Sequence, residues 1–297
     1  MKETVIISGK GGTGKTSLVA GLATLEAPLV LADCDVDAAD LHLVLEPEIK
    51  QSHPFRSGHE AVIRQADCIG CGACLAYCRF DAIRMDGSEA GGADFYIDPV
   101  ACEGCGVCVH FCPQEAIDFP EKTCGEWYIS GTRHGPMVHA KLGVAEENSG
   151  KLVSLVRQQA REAAEREGYE RILVDGSPGI GCPVIASITG ADRVVVVTEP
   201  TLSGLHDLKR VAELTGHFEL PTLVCVNKWD INEAMTEQIE GWCTEQGLEV
   251  VGRIPYDNSV TRAQIAGRSI VEMGAGPVAE QIRELAKRLR AKVMEPS

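Results

Sequence analysis

The chain has 297 residues, a net charge of −15 and thirteen cysteines. It contains no apolar run of about eighteen residues, so no segment is predicted to span a membrane. The excess of acidic groups disfavours nucleic acid as a partner, because binding to nucleic acid relies on neutralising its phosphates. The N-terminus lacks an apolar signal segment, and we therefore expect a cytoplasmic globular protein.

A glycine-rich loop lies near the start, between an apolar run (Thr4–Ser8) and a helical pattern (Ser17–Leu25). This order is typical of loops that wrap phosphates with backbone N–H groups at a helix N-terminus. The loop matches the Walker A pattern, in which Lys15 contacts the outer phosphates and Thr16 holds Mg²⁺. A glycine turn without nucleotide is the alternative that the flanking elements disfavour. The predicted nucleotide-binding residues here are Gly9, Lys10, Gly11, Gly12, Thr13, Gly14, Lys15, Thr16 and Ser17.

A cysteine pattern occurs twice, with every cysteine of the second copy 34 positions after its counterpart. The spacing is that of bacterial ferredoxins with two [4Fe–4S] clusters, where the fourth cysteine of each run binds the other cluster. Arg79 stands where the pattern has a proline, which is not a ligand. We predict one cluster on Cys68, Cys71, Cys74 and Cys112, and another on Cys78, Cys102, Cys105 and Cys108.

The sequence leaves two other roles of these cysteines open. Paired Cys-x2-Cys motifs also bind zinc, although such pairs are usually separated by longer loops. Disulfides are the second alternative, and they are rare in the expected compartment. The run of three closely spaced cysteines followed by a fourth favours iron–sulfur clusters over both.

Apolar, β-rich runs alternate with helical patterns along most of the chain, which predicts an α/β doubly wound, mostly parallel sheet. The cysteine repeat interrupts this alternation. We therefore predict a discontinuous ATPase domain (1–56 and 124–297) and an inserted small α+β domain of the bacterial-ferredoxin type (57–123). Two short strands, Trp127–Ile129 and Met137–His139, are expected where the chain returns to the sheet.

The segment KGGTGKT, with Lys10 before the glycines, resembles the deviant Walker A loop of the MinD/ParA/Mrp superfamily, which includes the nitrogenase iron protein. The resemblance implies ATP as the nucleotide and a nucleotide-dependent homodimer, or a heterodimer with a paralogue. In that family Lys10 would reach the partner's nucleotide, so Lys10, Lys15 and Asp35 are the predicted catalytic residues. By the same resemblance Asp35 orients or deprotonates water, and Thr16, Asp33 and Asp175 hold Mg²⁺.

Two later segments resemble the base-binding loops of the same family. Asn227 and Lys228 belong to an Asn-Lys-x-Asp sequence, and Pro255 lies in a loop whose main chain would line the purine pocket. Asn-Lys-x-Asp also occurs in proteins that bind guanine, but the other motifs favour ATP. Cys182 follows the Asp175 segment, where the nitrogenase iron protein has a cluster ligand. No matching second cysteine is seen, and a buried structural thiol is expected.

The last helical pattern, Val278–Lys292, has an apolar stripe and several arginines. MinD proteins end in a membrane-binding helix, but this stripe lacks Trp and Phe and favours packing on the protein's own sheet. Three functions then remain. The first is ATP-gated electron transfer to a protein redox partner. The second is cluster assembly or delivery to an accepting protein, as in Mrp-type relatives. The third is MinD-like positioning with redox-sensing clusters. Two mutually ligated clusters favour the first.

Overall fold

The computed structural model describes residues 1–87, 93–143, 149–274 and 276–291, and its chain forms two compact units. The first comprises residues 1–53, 126–142 and the described residues from 149 onward. The second comprises residues 54–125 and Gly143. The predicted insertion, 57–123, covers nearly the same part of the chain as the second unit.

The strands, in chain order, are β1 (Lys2–Ser8), β2 (Val30–Asp33), β3 (Glu48–His59), β4 (Val62–Ile63), β5 (Ile83–Gly87), β6 (Ala93–Ile97), β7 (Ile117–Asp118), β8 (Glu121–Thr132), β9 (Gly135–Leu142), β10 (Arg171–Pro178), β11 (Arg193–Thr198), β12 (Thr222–Asn227) and β13 (Glu249–Ile254). The helices are α1 (Lys15–Glu26), α2 (Leu41–Leu45), α3 (Ala73–Tyr77), α4 (Val107–His110), α5 (Ser149–Glu167), α6 (Cys182–Ile188), α7 (Leu202–His217), α8 (Glu233–Glu245), α9 (Ser259–Ile265) and α10 (Pro277–Ala291).

A nine-stranded sheet organises the first unit, in the order β13-β12-β11-β1-β10-β2-β9-β8-β3. β1 pairs in parallel with β10 and β11, and the parallel pairing continues through β2 and β9 on one side and through β12 and β13 on the other. The central strands are buried along nearly their whole length, as expected for a parallel sheet covered by helices on both faces. Their carboxyl ends share one edge, where such folds bind ligands.

The C-terminal helix α10 packs on this sheet. Its apolar stripe, which includes Val278, Ile282 and Leu285, is buried. The helix lies against β13 and α1, where a Cβ on Gly21 would come within 3.1 Å of Ile282. Packing on the sheet, the predicted role of this stripe, therefore accounts for its apolar residues, and membrane binding is not needed to explain them. No helix in the described ranges has the length and apolar character needed to cross a bilayer.

The outer strands differ from the sequence prediction. β8 is twelve residues long, whereas only Trp127–Ile129 was predicted, and β3 was not predicted at all. The reason is that most residues of β3 are exposed, so the strand shows no alternating apolar pattern. β8 and β9 form a hairpin that closes at Gly135, where a Cβ would lie 2.0 Å from the carbonyl oxygen of Leu29.

The second unit is small, and the repeat in its sequence is also a repeat in its structure. Gly72 and Gly106 occupy matching positions before α3 and α4, and both have left-handed backbones, with φ of +72° and +74°. Two antiparallel pairs, β4–β7 and β5–β6, complete the unit. In the described part of this unit, one cluster of buried apolar residues comprises Ala61, Ile63, Cys74, Ile83, Phe95 and Ile117.

Candidate nucleotide site and cysteine clusters

The glycine loop turns from β1 into α1 as predicted. Gly12 and Gly14 have φ of +78° and +88°, a conformation that other residues rarely adopt. A Cβ on Gly14 would also lie 2.2 Å from Nδ2 of Asn227. Because α1 begins at Lys15, the loop is at a helix N-terminus, where free backbone N–H groups and the helix dipole favour a phosphate.

Lys15 lies among carboxylates at the mouth of this loop. Its Nζ is 2.5 Å from Oδ1 of Asp175 and 3.4 Å from Oδ2 of Asp35, and the side chain is only 5% exposed. Burial alone would lower the pKa of Lys15, but the charges of Asp175 and Asp35 more than compensate and raise it. The ammonium group is therefore held protonated, which is the state that binds anionic phosphate oxygens.

Asp33, the last residue of β2, pairs in register with Asp175 of β10, and both are almost fully buried. Each has one carboxylate oxygen, Oδ2, that is buried without a hydrogen-bond partner among the residues that the structure describes. Burial, and then the charge of Asp175, raise the pKa of Asp33 well above its usual range. Unsatisfied buried carboxylate oxygens are costly, and hard oxygen ligands are what Mg²⁺ prefers. The donor set of Asp33, Asp175 and the Thr16 hydroxyl therefore fits Mg²⁺.

Asp35 follows β2 and is partly exposed towards the same loop. Its backbone N–H donates to Oδ1 of Asp33, and burial raises its pKa although Lys15 opposes the shift. One cleft brings together much of the predicted set. It is lined by the loop from Gly11 to Ser17 and by Asp35, Asn227, Lys228 and Pro255.

The predicted base-binding residues line the cleft, and Asn227 also contacts the phosphate loop. Nδ2 of Asn227 donates to the carbonyl of Thr13 at 2.6 Å, so this amide group holds the phosphate loop. Oδ1 of Asp230 accepts a bond from the backbone N–H of Tyr256. Tyr256, in the predicted base-contacting loop, lines the cleft beside Pro255 and is half-exposed. Gln264, which was not predicted, donates to Oγ of Ser17 at 2.9 Å.

Lys10 does not line the cleft, and neither do Gly9, Asp33 and Asp175 among the predicted residues. Nζ of Lys10 lies 3.3 Å from Oε2 of Glu199 and 3.1 Å from Oγ of Ser203. Sequence reasoning missed Glu199, although its position directly after β11 puts it at the edge of the sheet that carries the site. Gly9 packs on α7, since a Cβ there would lie 2.4 Å from Cβ of Asp207.

The segment after Asp175 is tied to the neighbouring loops. Gly176 lies within β10 and is buried, and a Cβ would come within 2.6 Å of Ile7. Oγ of Ser177 donates to the carbonyl of Cys34 at 2.6 Å. Gly179 has φ of +93°, and its N–H donates to the carbonyl of Ser8. The end of β10 is therefore hydrogen-bonded to the strands that carry both Asp33 and the glycine loop.

The first predicted cysteine set lines one cavity of the second unit. Cys68, Cys71 and Cys74 face it together with Cys112, the distant cysteine of the predicted set. Sγ of Cys112 accepts a bond from the N–H of Ala116 at 3.3 Å. Four thiols around one cavity, with a backbone N–H directed at one sulfur, suit a cluster whose irons each take one thiolate.

The second set is brought together less completely. Burial, followed by the charges of Cys102 and Cys105, raises the pKa of Cys108 to about 11. Cys78 packs on the same small apolar cluster as Cys102 and Cys108. In the described ranges no three His, Cys, Asp or Glu side chains converge on a point that could hold a single metal ion.

The expectation for Cys182 is wrong. The residue is exposed at the start of α6 and is not a buried thiol, because α6 begins on the surface directly after the Gly179–Gly181 turn. The other cysteines outside the repeat, Cys34, Cys124, Cys225 and Cys243, are buried.

The parallel sheet and the glycine loop at its edge define a P-loop nucleotide-binding protein. Residues 4–270 match the family "CobQ/CobB/MinD/ParA nucleotide binding domain", and the chain belongs to it. A relative in Methanocaldococcus jannaschii, "Uncharacterized protein MJ0578", is 33% identical and covers 97% of this chain and 96% of its own. An "Iron-sulfur cluster carrier protein" of Pyrococcus abyssi is 25% identical over 49% of this chain and 54% of its own.

A solved structure with the same fold is that of the septum site-determining protein MinD complexed with Mg-ADP from Pyrococcus horikoshii. Its TM-score is 0.59 at 16% identity, and the match covers 99% of this chain and 97% of that chain. The predicted P-loop fold with a mostly parallel sheet is confirmed, as is membership of the MinD/ParA family.

Proposed function

We propose that the protein binds and hydrolyses Mg-ATP and that the nucleotide state controls an iron–sulfur unit. The observation that supports nucleotide chemistry best is the convergence of Lys15, Asp33, Asp35 and Asp175 at the glycine loop. Phosphoryl transfer depends mainly on positioning and on neutralising charge, and these groups supply both.

In this proposal the loop amides and Lys15 hold the phosphates, and Thr16, Asp33 and Asp175 hold Mg²⁺, which neutralises charge on the phosphate oxygens. Asp35 orients the water that attacks the γ-phosphorus. The bond from that phosphorus to the bridging oxygen breaks, and ADP and inorganic phosphate leave. The raised pKa of Asp35 brings it nearer to the range useful for a general base.

Two copies of the chain, or this chain and a paralogue, would enclose the nucleotides between them. The MinD/ParA resemblance of the loop supports this arrangement, in which Lys10 contributes to the partner's site. Size-exclusion chromatography with and without ATP, on a variant with Asp35→Asn to slow hydrolysis, tests it. Association only in the presence of ATP is expected, and a monomer under both conditions would contradict it.

The second unit is proposed to hold two [4Fe–4S] clusters, one on Cys68, Cys71, Cys74 and Cys112. The cavity shared by these four thiols supports the assignment. The other cluster is assigned to Cys78, Cys102, Cys105 and Cys108. Such clusters accept and donate single electrons. Paired clusters of this type favour electron transfer to a protein partner as the function that ATP hydrolysis gates.

Cluster assembly or delivery is the second candidate, because relatives named as iron–sulfur cluster carriers match part of this chain. Anaerobic redox titration with and without ATP separates the two. Reversible reduction of clusters that stay bound, with a midpoint that ATP shifts, is expected for electron transfer. Loss of iron and sulfide to an apo-acceptor, without reversible reduction, would favour delivery.

A further inference from the structure

Glu199 pairs with two lysines, one in the glycine loop and one directly after β12. Its Oε2 is 3.3 Å from Nζ of Lys10, and its Oε1 accepts a short bond from Nζ of Lys228. The carboxylate is only 14% exposed, whereas Lys10 is 34% exposed. Glu199 is thus a shielded acceptor for two cations that the nucleotide phosphates would otherwise attract.

The turn that presents Glu199 is closely packed. The carbonyl of Glu199 accepts the N–H of Thr201 at 2.8 Å, and a Cβ on Gly204 would lie 2.2 Å from that same carbonyl. Oγ1 of Thr201 caps α7 by accepting the N–H of Gly204. Because the backbone here is fixed from several directions, the carboxylate is held at one place beside the loop.

The two lysines have different surroundings. Lys228 also donates to the carbonyl of Gly12 at 3.1 Å and lines the nucleotide cleft. Lys10 has Ser203 as its second partner and does not line the cleft. Glu199 therefore fastens the loop through Lys228, and at the same time it holds the Lys10 ammonium on α7, outside the site.

We propose that Glu199 is a positioning residue that keeps Lys10 bound within its own chain until nucleotide in a second copy displaces the carboxylate. The inference rests on the proposed dimer, in which Lys10 contributes to the partner's site. An anionic phosphate of the partner's nucleotide must then compete with Glu199 for the same ammonium. Because the Glu199–Lys10 ion pair must break first, dimerisation is weaker than the contacts between the two chains alone would give.

The hold on Lys10 can be measured in the nucleotide-free protein, without any dimer. Acylation of lysines by a limiting amount of N-hydroxysuccinimidyl acetate, read by peptide mass spectrometry, reports on how free each amine is. In Glu199→Gln, Lys10 is expected to react about fivefold faster, the effect of losing one partly exposed ion pair. Glu213→Gln, which removes the same charge from the exposed face of α7, is the control and leaves the Lys10 rate unchanged.

An unchanged Lys10 rate in Glu199→Gln would overturn the proposal. If circular dichroism shows that this variant is not folded, Ser203→Ala removes only the second contact of Lys10. It should accelerate acylation less, but in the same direction, and no acceleration there counts against the proposal.

The competition between Glu199 and the partner's nucleotide is measured by the protein concentration at which half of the chains are dimeric in the presence of ATP. Glu199→Gln should lower this concentration about fivefold in the wild-type background and leave it unchanged when Lys10 is replaced by alanine. An equal effect in both backgrounds would show that Glu199 acts without Lys10. If no variant associates with ATP, the proposed dimer fails and the competition fails with it, while the acylation rates alone decide whether Glu199 holds Lys10.

Discussion

The protonation of Asp33 depends on the state of the site. Its carboxyl is buried beside Asp175, and one oxygen has no partner within the described ranges, so the ionised form is unfavourable until a cation binds. A raised pKa means that the folded state binds a proton more readily than the unfolded state. The metal-free protein should therefore lose stability as the pH rises through and above the range in which an unfolded aspartate ionises.

The variant Asp33→Asn should be more stable than wild type by about 1 to 2 kcal/mol at neutral pH without Mg²⁺, because it removes a buried charge. The gain should vanish near pH 3, where the wild-type carboxyl is protonated in both states. With Mg-ATP the wild type should be the more stable of the two proteins, since the variant offers a poorer metal ligand. Thermal unfolding at several pH values, with and without Mg-ATP, measures both effects, and a variant less stable at neutral pH without metal would contradict them.

Lys15 should matter for stability as well as for nucleotide binding. The variant Lys15→Met leaves the carboxylate of Asp175 buried without a counter-charge, and we expect a loss of about 3 kcal/mol in the nucleotide-free protein. Adding Asp175→Asn should restore much of this stability but not ATP binding. Urea unfolding and equilibrium binding of a fluorescent ATP analogue give the two readouts. A double variant as unstable as Lys15→Met would show that the ion pair is not the cause.

At the level of elements, the β8–β9 hairpin turn fastens three parts of the first unit. Arg133 in this turn donates to the carbonyls of Val44 and Leu45 at the end of α2, to the carbonyl of Gly267, and to both carboxylate oxygens of Glu272. The turn therefore links α2, which follows the Asp33–Asp35 segment, to the loop between α9 and α10.

Replacing Arg133 by lysine keeps the charge but cannot reproduce the fork of donors, and a loss of about 2 to 3 kcal/mol is expected. Burial would raise the pKa of Glu272, but the bonds from Arg133 and Ser269 lower it to about 2. The stabilisation by Glu272 is therefore present above its unfolded value of 4.5 and is lost as the pH falls towards 2. The free energies of unfolding of wild type and of Glu272→Gln, measured across this pH range, should converge at the acidic end. Curves that stay parallel would contradict this prediction.

The central strands and the site at their carboxyl ends could be predicted because their residues follow simple rules. Val5, Ile6 and Ile7 form a fully apolar run before the glycines, and Asp175 ends another such run. The exposed strand β3 could not be predicted, because neither of its faces is consistently apolar. Glu199 was missed for a different reason: it meets the site through tertiary folding and belongs to no recognisable spacing.

At the level of the whole molecule, the second unit depends on its cysteines more than on its apolar core. In the described part of the unit, one cluster of six buried residues has five partly buried cysteines packed against it. A core of this size is small for the stability of an independent domain. The proposed clusters would supply the missing cross-links, as structural metals do in other small domains.

Removal of iron with a chelator under anaerobic conditions should therefore expose residues 54–125 to proteolysis, while the first unit keeps its affinity for ATP. The variant Cys112→Ala should lose the cluster on Cys68, Cys71 and Cys74, and about four of eight irons, by iron analysis and electron paramagnetic resonance. Cys243→Ala, at a buried cysteine outside the repeat, is the matched control and should keep all of them. Equal iron in both variants would contradict the ligand assignment.

The chain leaves the first unit along β3 and returns along β8, and these two strands are hydrogen-bonded neighbours. The two strands that bracket the second unit in the chain are thus side by side in one sheet. Because their pairing is made within the sheet and not through the cysteine-rich segment, the order of the other strands does not depend on that segment.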